Sequence, residues 1–161
     1  MKQAECEICL SEKTALKCKI CDQFSCKHCT EFVDDTVFEF QDLLPENLRD
    51  SAFCPNCFED QVQTELTPYI ATMELAKEVN VYGKEQGKET RLMRRVTKQI
   101  KVTECGEREE AYMRLAYIAA QQGFDTIADV SIVSRKVNLG GRYRRLVWDG
   151  SATPIDTNKR K

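Results

Sequence analysis

The sequence predicts an α+β chain in two parts: a small N-terminal unit organised by clustered thiols, and a second unit with one helix on a small sheet. Three observations carry this prediction. Four Cys-x-x-Cys pairs crowd into the first 57 residues, at Cys6/Cys9, Cys18/Cys21, Cys26/Cys29 and Cys54/Cys57. Farther on, an amphipathic helical pattern is followed by two β-rich runs joined through Asn-Leu-Gly-Gly at residues 138–141. The charge also changes sign along the chain: 13 Asp+Glu face 6 Lys+Arg in residues 1–63, and 13 face 18 in residues 64–161. The expected boundaries are residues 1–66 for the thiol-rich domain, 67–80 for a connecting helix or linker, 81–156 for the α+β domain and 157–161 for a basic tail.

Eight soft ligands in four two-residue clips are the number and type that hold two tetrahedral Zn²⁺ ions. A Cys-x-x-Cys turn points both sulfurs at one ion about 2.3 Å away, while the intervening backbone N–H groups turn back toward the thiolates. The competing chemistries are iron or iron–sulfur ligation, disulfides and a redox pair. The chain opens on a charged segment, Lys2 to Glu7, with no apolar run suited to a signal peptide or a membrane span. A cytoplasmic setting is therefore expected, where thiols stay reduced. A thioredoxin-like redox site needs one such pair, not four.

Spacing alone leaves open which clips share an ion. The gaps are eight residues between the first and second clips, four between the second and third, and twenty-four between the third and fourth. The short central gap crowds the middle clips together and favours interleaving. One zinc then takes Cys6, Cys9, Cys26 and Cys29, and the other takes Cys18, Cys21, Cys54 and Cys57. His28, the single histidine, lies inside the third clip and is read as a non-ligand, because the cysteines already suffice.

At these residues, over about 5–66, the chain resembles the FYVE and PHD group of cross-braced zinc fingers. The resemblance implies a treble-clef cross-brace with two zincs. Residues 18–30 look most like a FYVE core. Lipid-reading FYVE domains carry Arg-Lys-His-His before the third cysteine and Arg after it; here stand Thr14, Ala15, Leu16 and Lys17, then Lys19. The N-terminal Trp-x-x-Asp element is missing as well. RING fingers fit less well, since they place a Cys-x-His step where this chain has Cys18-x-x-Cys21, and B-box and MYND fingers close with histidines.

Residues 31–53 carry Phe32, Val33, Val37, Phe38, Phe40, Leu43, Leu44 and Leu48, enough for a miniature core and a short helix over residues 45–50. A unit this small relies on its metals for most of its stability. Residues 58–66 read as a helix leaving the last clip, and Thr67-Pro68 as a break or a new helix start. Residues 74–80 fit more than one reading.

In the second domain, residues 91–102 alternate, with Leu92, Val96, Ile100 and Val102 against Arg91, Arg95, Thr97, Gln99 and Lys101, the pattern of a half-buried strand. Residues 107–122 place Ala111, Tyr112, Leu115, Ala116, Ile118 and Ala119 on one stripe, begin with glutamates and stop at Gly123, which predicts an amphipathic helix. Residues 125–137 and 142–152 then form a β-hairpin. Residues 109–130 together with 147–152 are similar to a bacterial family of small proteins labelled heavy-metal-binding. That resemblance implies an oligomer-forming α+β domain, not a metal site, since this half offers Cys105 and scattered carboxylates.

Charge bears on partners. Eight thiolates around two dications add roughly four negative charges to an already acidic half. Such a surface repels anionic membranes and nucleic acid over a Debye length of about 8 Å, and attracts basic proteins. The expected function is a zinc-stabilised, non-enzymatic protein-interaction module. The second domain holds no histidine, the commonest general base, and no Gly-rich phosphate loop follows a strand. Cys105 stands just before the helix, where the dipole could lower its pKa, but a small packed residue is the preferred reading. Asp125 is read as a turn residue, four positions before Asp129. Nucleic-acid binding is the alternative, through Arg91, Arg94, Arg95, Lys98, Lys101, Arg135, Lys136, Arg142, Arg144, Arg145 and the tail Lys159-Arg160-Lys161, with Tyr143 and Trp148 interleaved. Phosphoinositide binding is a further alternative.

Overall fold

The computed structural model describes residues 5–12, 15–34, 36–41, 44–49, 51–96 and 98–157. Thr14, Leu43, Thr97 and the tail at residues 159–161 lie outside them. The chain is α+β and divides into two compact units, Met1–Ile70 and Ala71–Lys161.

The first unit is built on two short antiparallel hairpins. Strand β1 (Ala15–Lys17) pairs with β2 (Phe24–Cys26), and β3 (Glu31–Val33) pairs with β4 (Ser51–Phe53). Its apolar centre comprises Val33, Phe38, Leu44, Leu48, Phe53, Val62 and Tyr69, with the Phe38 and Tyr69 rings 5.3 Å apart between centroids. Phe32, counted toward this core from sequence, points outward and is 57% exposed, because β3 alternates and Val33 takes the inner face. The short helix expected over residues 45–50 is a single 3₁₀ turn, Glu46–Leu48.

Helical residues run without interruption from α1 (Pro55–Cys57) through a π turn (Phe58–Val62) into α2 (Gln63–Lys77). The break expected at Thr67-Pro68 does not occur. An interior proline costs about 3 kcal/mol in an isolated helix. Here Val62 and Tyr69, one on each side of it and seven residues apart, are both buried on the same stripe, so packing outweighs the missing N–H.

The second unit carries a four-stranded sheet ordered β5-β7-β8-β6, from β5 (Asn80–Gly83), β6 (Ile100–Cys105), β7 (Thr126–Gly140) and β8 (Tyr143–Pro154). Strand β5 runs parallel to β7 and the other pairings are antiparallel. Helix α3 (Arg108–Gln121) packs across β6, β8 and β7 and buries Ala111, Leu115, Ala116, Tyr117 and Ala119. Tyr117 replaces Tyr112 and Ile118 at the centre of the stripe read from sequence, and those two are half-buried. The helix ends in a Schellman cap, with the Gly123 N–H on the Ala120 carbonyl, the Phe124 N–H on the Ala119 carbonyl, and Gly123 at φ 80°. Gly150 lets α3 approach the sheet, since a Cβ there would stand 3.0 Å from Val102 Cγ2 and 3.1 Å from Leu115 Cδ1.

The strand expected over residues 91–102 is shorter and later than its alternation suggests. Arg95 makes an isolated bridge to Ile155, and the ladder begins at Ile100 and runs to Cys105. Leu92, assigned to the buried face, is 98% exposed. Tertiary contacts fix this segment: Arg95 bonds Asp129 through Nε at 2.7 Å and Thr90 through Nη1 and Nη2 at 3.1 and 3.0 Å.

Candidate metal centre

The cysteines gather in two groups of four. Cys6, Cys9, Cys26 and Cys29 place their sulfurs within 4.8 Å of one another, and so do Cys18, Cys21, Cys54 and Cys57. The clips are therefore interleaved, first with third and second with fourth. His28 belongs to neither group and is exposed.

Hairpin hydrogen bonds bring distant clips together. The second clip opens the β1–β2 turn, where the Cys18 N–H donates to the Gln23 carbonyl at 2.9 Å, and the third clip begins at the end of β2. Glu7, inside the first clip, donates its N–H to the Phe24 carbonyl at 2.9 Å and accepts the Phe24 N–H on Oε1 at 3.2 Å, which lays the first clip against β2. Strand β3 leaves the third clip and β4 enters the fourth. Lys19, inside the second clip, donates to the Ala52 carbonyl at 2.9 Å, which lays the second clip against β4. Two backbone ties thus select the interleaved pairing.

Locally the clips differ. The first two are matching knuckles, with the Leu10 N–H on the Cys6 carbonyl at 2.8 Å and the Asp22 N–H on the Cys18 carbonyl at 3.1 Å. In each, the residue after the second cysteine is left-handed, at φ 58° for Leu10 and 63° for Asp22. The fourth clip uses a helix start: Cys54 stands at the N-cap, Pro55 follows it with no N–H to satisfy, and Cys57 sits in the first turn. Behind the third clip, Thr30 Oγ1 donates to the Cys26 carbonyl at 2.9 Å and pairs with buried Ser25 Oγ at 2.8 Å.

Across clips, the sulfurs of Cys9 and Cys26, and those of Cys21 and Cys54, are 3.6 Å apart. Bonds of about 2.3 Å to one tetrahedral ion give sulfur–sulfur edges of about 3.8 Å, so each quartet has the dimensions of a single-ion site. None of the nine cysteines is in a disulfide. A multi-iron cluster distributes its thiolates over several irons and spreads them farther than around one ion.

The quartets divide their thiols by acidity. Cys6 is drawn down to about 6 by the backbone N–H of Cys9 and by further N–H groups from Cys26 and Ile8. Burial pushes Cys18 up, but N–H groups of Cys21, Cys54 and Ile20 bring it down to about 6. Neighbouring sulfurs work the other way, and Cys29 is pushed up to about 12 by hydrogen bonding with Cys26 and Cys9. Cys57 is raised more strongly, by burial and then by Cys21 and Cys54. Four thiolates at one point repel one another, so a quartet without a cation keeps protons that a bound metal must displace.

In the second unit Cys105 is buried, and its pKa is raised by that burial and by the Glu110 carboxylate, contrary to the lowering that the helix dipole suggested. Asp125 accepts from Thr157 Oγ1 and Thr126 Oγ1, and Asp129 takes the Arg95 guanidinium. The sequence reading missed Ser25, Thr30, Glu7 and Lys19 as supports of the quartets; a Ser or Thr beside a clip is too common to stand out. No helix among the described residues is long and apolar enough to cross a membrane. No protein-family model, no curated protein and no solved structure matches this chain.

Proposed function

We propose that residues 1–66 form a FYVE-like, cross-braced two-zinc finger serving as a structural, non-enzymatic platform for a basic protein partner. The observation that carries the reading is the pair of interleaved four-cysteine groups, each sized for one tetrahedral ion. An all-thiolate tetrahedral set favours zinc among common cellular cations. All four positions in each set come from protein, which leaves no open position for substrate or water, the mark of a structural site.

Partner chemistry follows from charge and exposed apolar groups. Ile8, Leu10, Phe24 and Phe32 are exposed on the first unit, among Glu5, Glu7, Glu31 and Asp34, and the thiolate–metal groups add further negative charge. Such a surface suits a segment that pairs lysine or arginine with apolar anchors. Comparing native and denatured masses tests the metal: two zincs per chain are expected, and a chain without metal, or with iron, refutes it. Chelation should then abolish binding of a Lys/Arg-rich amphipathic peptide while the second unit keeps its circular-dichroism signal. Peptide binding that survives chelation refutes the platform.

A further inference from the structure

The β7–β8 hairpin outruns its sheet. Strand β5 reaches β7 only as far as Val130, and β6 reaches β8 only as far as Trp148. Beyond these points the two strands continue as a two-stranded ribbon, paired from Ser134 with Trp148 to Gly140 with Tyr143. Seven residues of β7 at about 3.3 Å each make an arm roughly 20 Å long. From Val133 to Leu146 every residue is exposed except Val137, which is half-buried. Both faces of the arm are open, a marginal arrangement for an isolated ribbon unless something else uses it.

Its chemistry is one-sided. Residues 133–147 hold Arg135, Lys136, Arg142, Arg144 and Arg145 and no acidic residue. Arg135 is held by Asp149 and, at 3.2 Å, by Glu104 at the base of the arm. Among the described residues the other four have no carboxylate partner. Cross-strand partners share a face, and Val137 opposite Arg145 and Asn138 opposite Arg144 put the two arginines on opposite faces. Lys136 lies on the Arg144 face, and Arg142 is at the turn. A flat anionic surface, such as a membrane or the side of a folded protein, would meet one face and leave the other unpaired. A polyanion that encloses the ribbon meets both.

We infer that this arm is a docking element for double-stranded DNA, entering the major groove with phosphates on either side. That groove is about 12 Å wide and admits a two-stranded β-ribbon, whose strands lie about 4.8 Å apart. The major groove of duplex RNA is too deep and narrow for it. Arginine, which supplies four of the five cations, matches phosphate and guanine edges in a bidentate way. Tyr143 and Leu146, both exposed, offer apolar contact to thymine methyls. Of the broader basic face expected from sequence, Arg95 is taken up by Asp129 and residues 91–95 form no strand. The inference concerns the second unit and does not depend on the metal reading.

The test is fluorescence anisotropy of the full, metal-loaded chain with a labelled duplex of about 20 base pairs, titrated at several salt concentrations. Four phosphates neutralised give a log–log salt slope near −3.6, so affinity should fall about 150-fold between 50 and 200 mM salt. Reversing the arm (Lys136→Glu, Arg142→Glu, Arg144→Glu, Arg145→Glu) should abolish binding and leave the circular-dichroism spectrum unchanged. The same charge change off the arm (Lys88→Glu, Arg91→Glu, Lys98→Glu, Lys101→Glu) should leave most of it, and duplex RNA should compete more weakly than DNA. Absence of binding at 50 mM salt overturns the inference, as does equal loss in the two variants. So does an arm variant whose effect is on sedimentation mass alone, which would make the arm a contact between copies, or on anionic vesicles alone, which would make it a membrane contact.

Discussion

Lowering the pH should strip the metals in a narrow window whose position follows from the thiol arrangement. In the first quartet, metal-free, Cys6 ionises at about 6 and Cys26 also lies below the ordinary thiol value, whereas Cys29 is pushed up to about 12 and Cys9 is also raised. A metal binding at neutral pH therefore displaces at least the protons of Cys9 and Cys29, and as pH falls through about 6 it must displace that of Cys6 as well. Each displaced proton weakens apparent affinity about tenfold per pH unit lost. Affinity should fall at least about 10²-fold from pH 7 to 6, and more steeply below pH 6 as Cys6 also takes up its proton. The sign is that of groups held ionised in the folded, metal-bound state: their stabilisation is complete above the unfolded thiol value and disappears as pH falls. The assay is absorbance of a zinc-responsive dye added to the native chain, with circular dichroism followed in parallel. Release should be steep, near pH 5 to 6 at micromolar protein, and should coincide with loss of structure in the first unit. Release shallower than one decade per pH unit, or metal retained at pH 3, would refute the four-thiolate assignment.

Paired substitutions check which clips share an ion. Cys6→Ser should remove one metal, and adding Cys26→Ser should remove no more, whereas Cys6→Ser with Cys18→Ser should remove both; native mass spectrometry counts them. Leu115→Ala, at a fully buried side chain over Gly150, should destabilise the second unit by about 3 to 5 kcal/mol in denaturant unfolding without changing the metal count. Gly123→Ala, at φ 80° in the helix cap, should cost about 1 kcal/mol in the same experiment. Cys105, buried with a raised pKa, should resist alkylation in the native metal-loaded chain, while chelation exposes the eight clip cysteines to the reagent first, as counted by intact mass.

The features legible before the fold was known are those written in short stretches of chain. Each Cys-x-x-Cys clip is a local turn. Helix α3 and its Gly123 stop are local periodicity and a local cap, and the hairpin announces itself through two glycines in the left-handed region, Gly140 at φ 110° and Gly141 at φ 60°. The misreadings share a cause. Residues 91–102 alternate convincingly, yet a strand needs a partner, and an ion pair across 34 residues holds Arg95 elsewhere. Strand β5, four residues with two of them exposed and two half-buried, has too weak a pattern to be noticed and exists because β7 offers it an edge. Pro68 looks like a helix stop until the burial of Val62 and Tyr69 is included.

The thiol ligands, the number of clips, the α+β class and the charge of each part can be read along the chain, because they depend on composition and on neighbours a few positions apart. Which clips share a quartet, and which cations remain free on the β7–β8 arm, emerge only in the folded chain. Those outcomes rest on contacts such as Glu7 with Phe24, Lys19 with Ala52 and Arg135 with Glu104. The energy of such contacts is realised only when segments far apart in the chain are brought together.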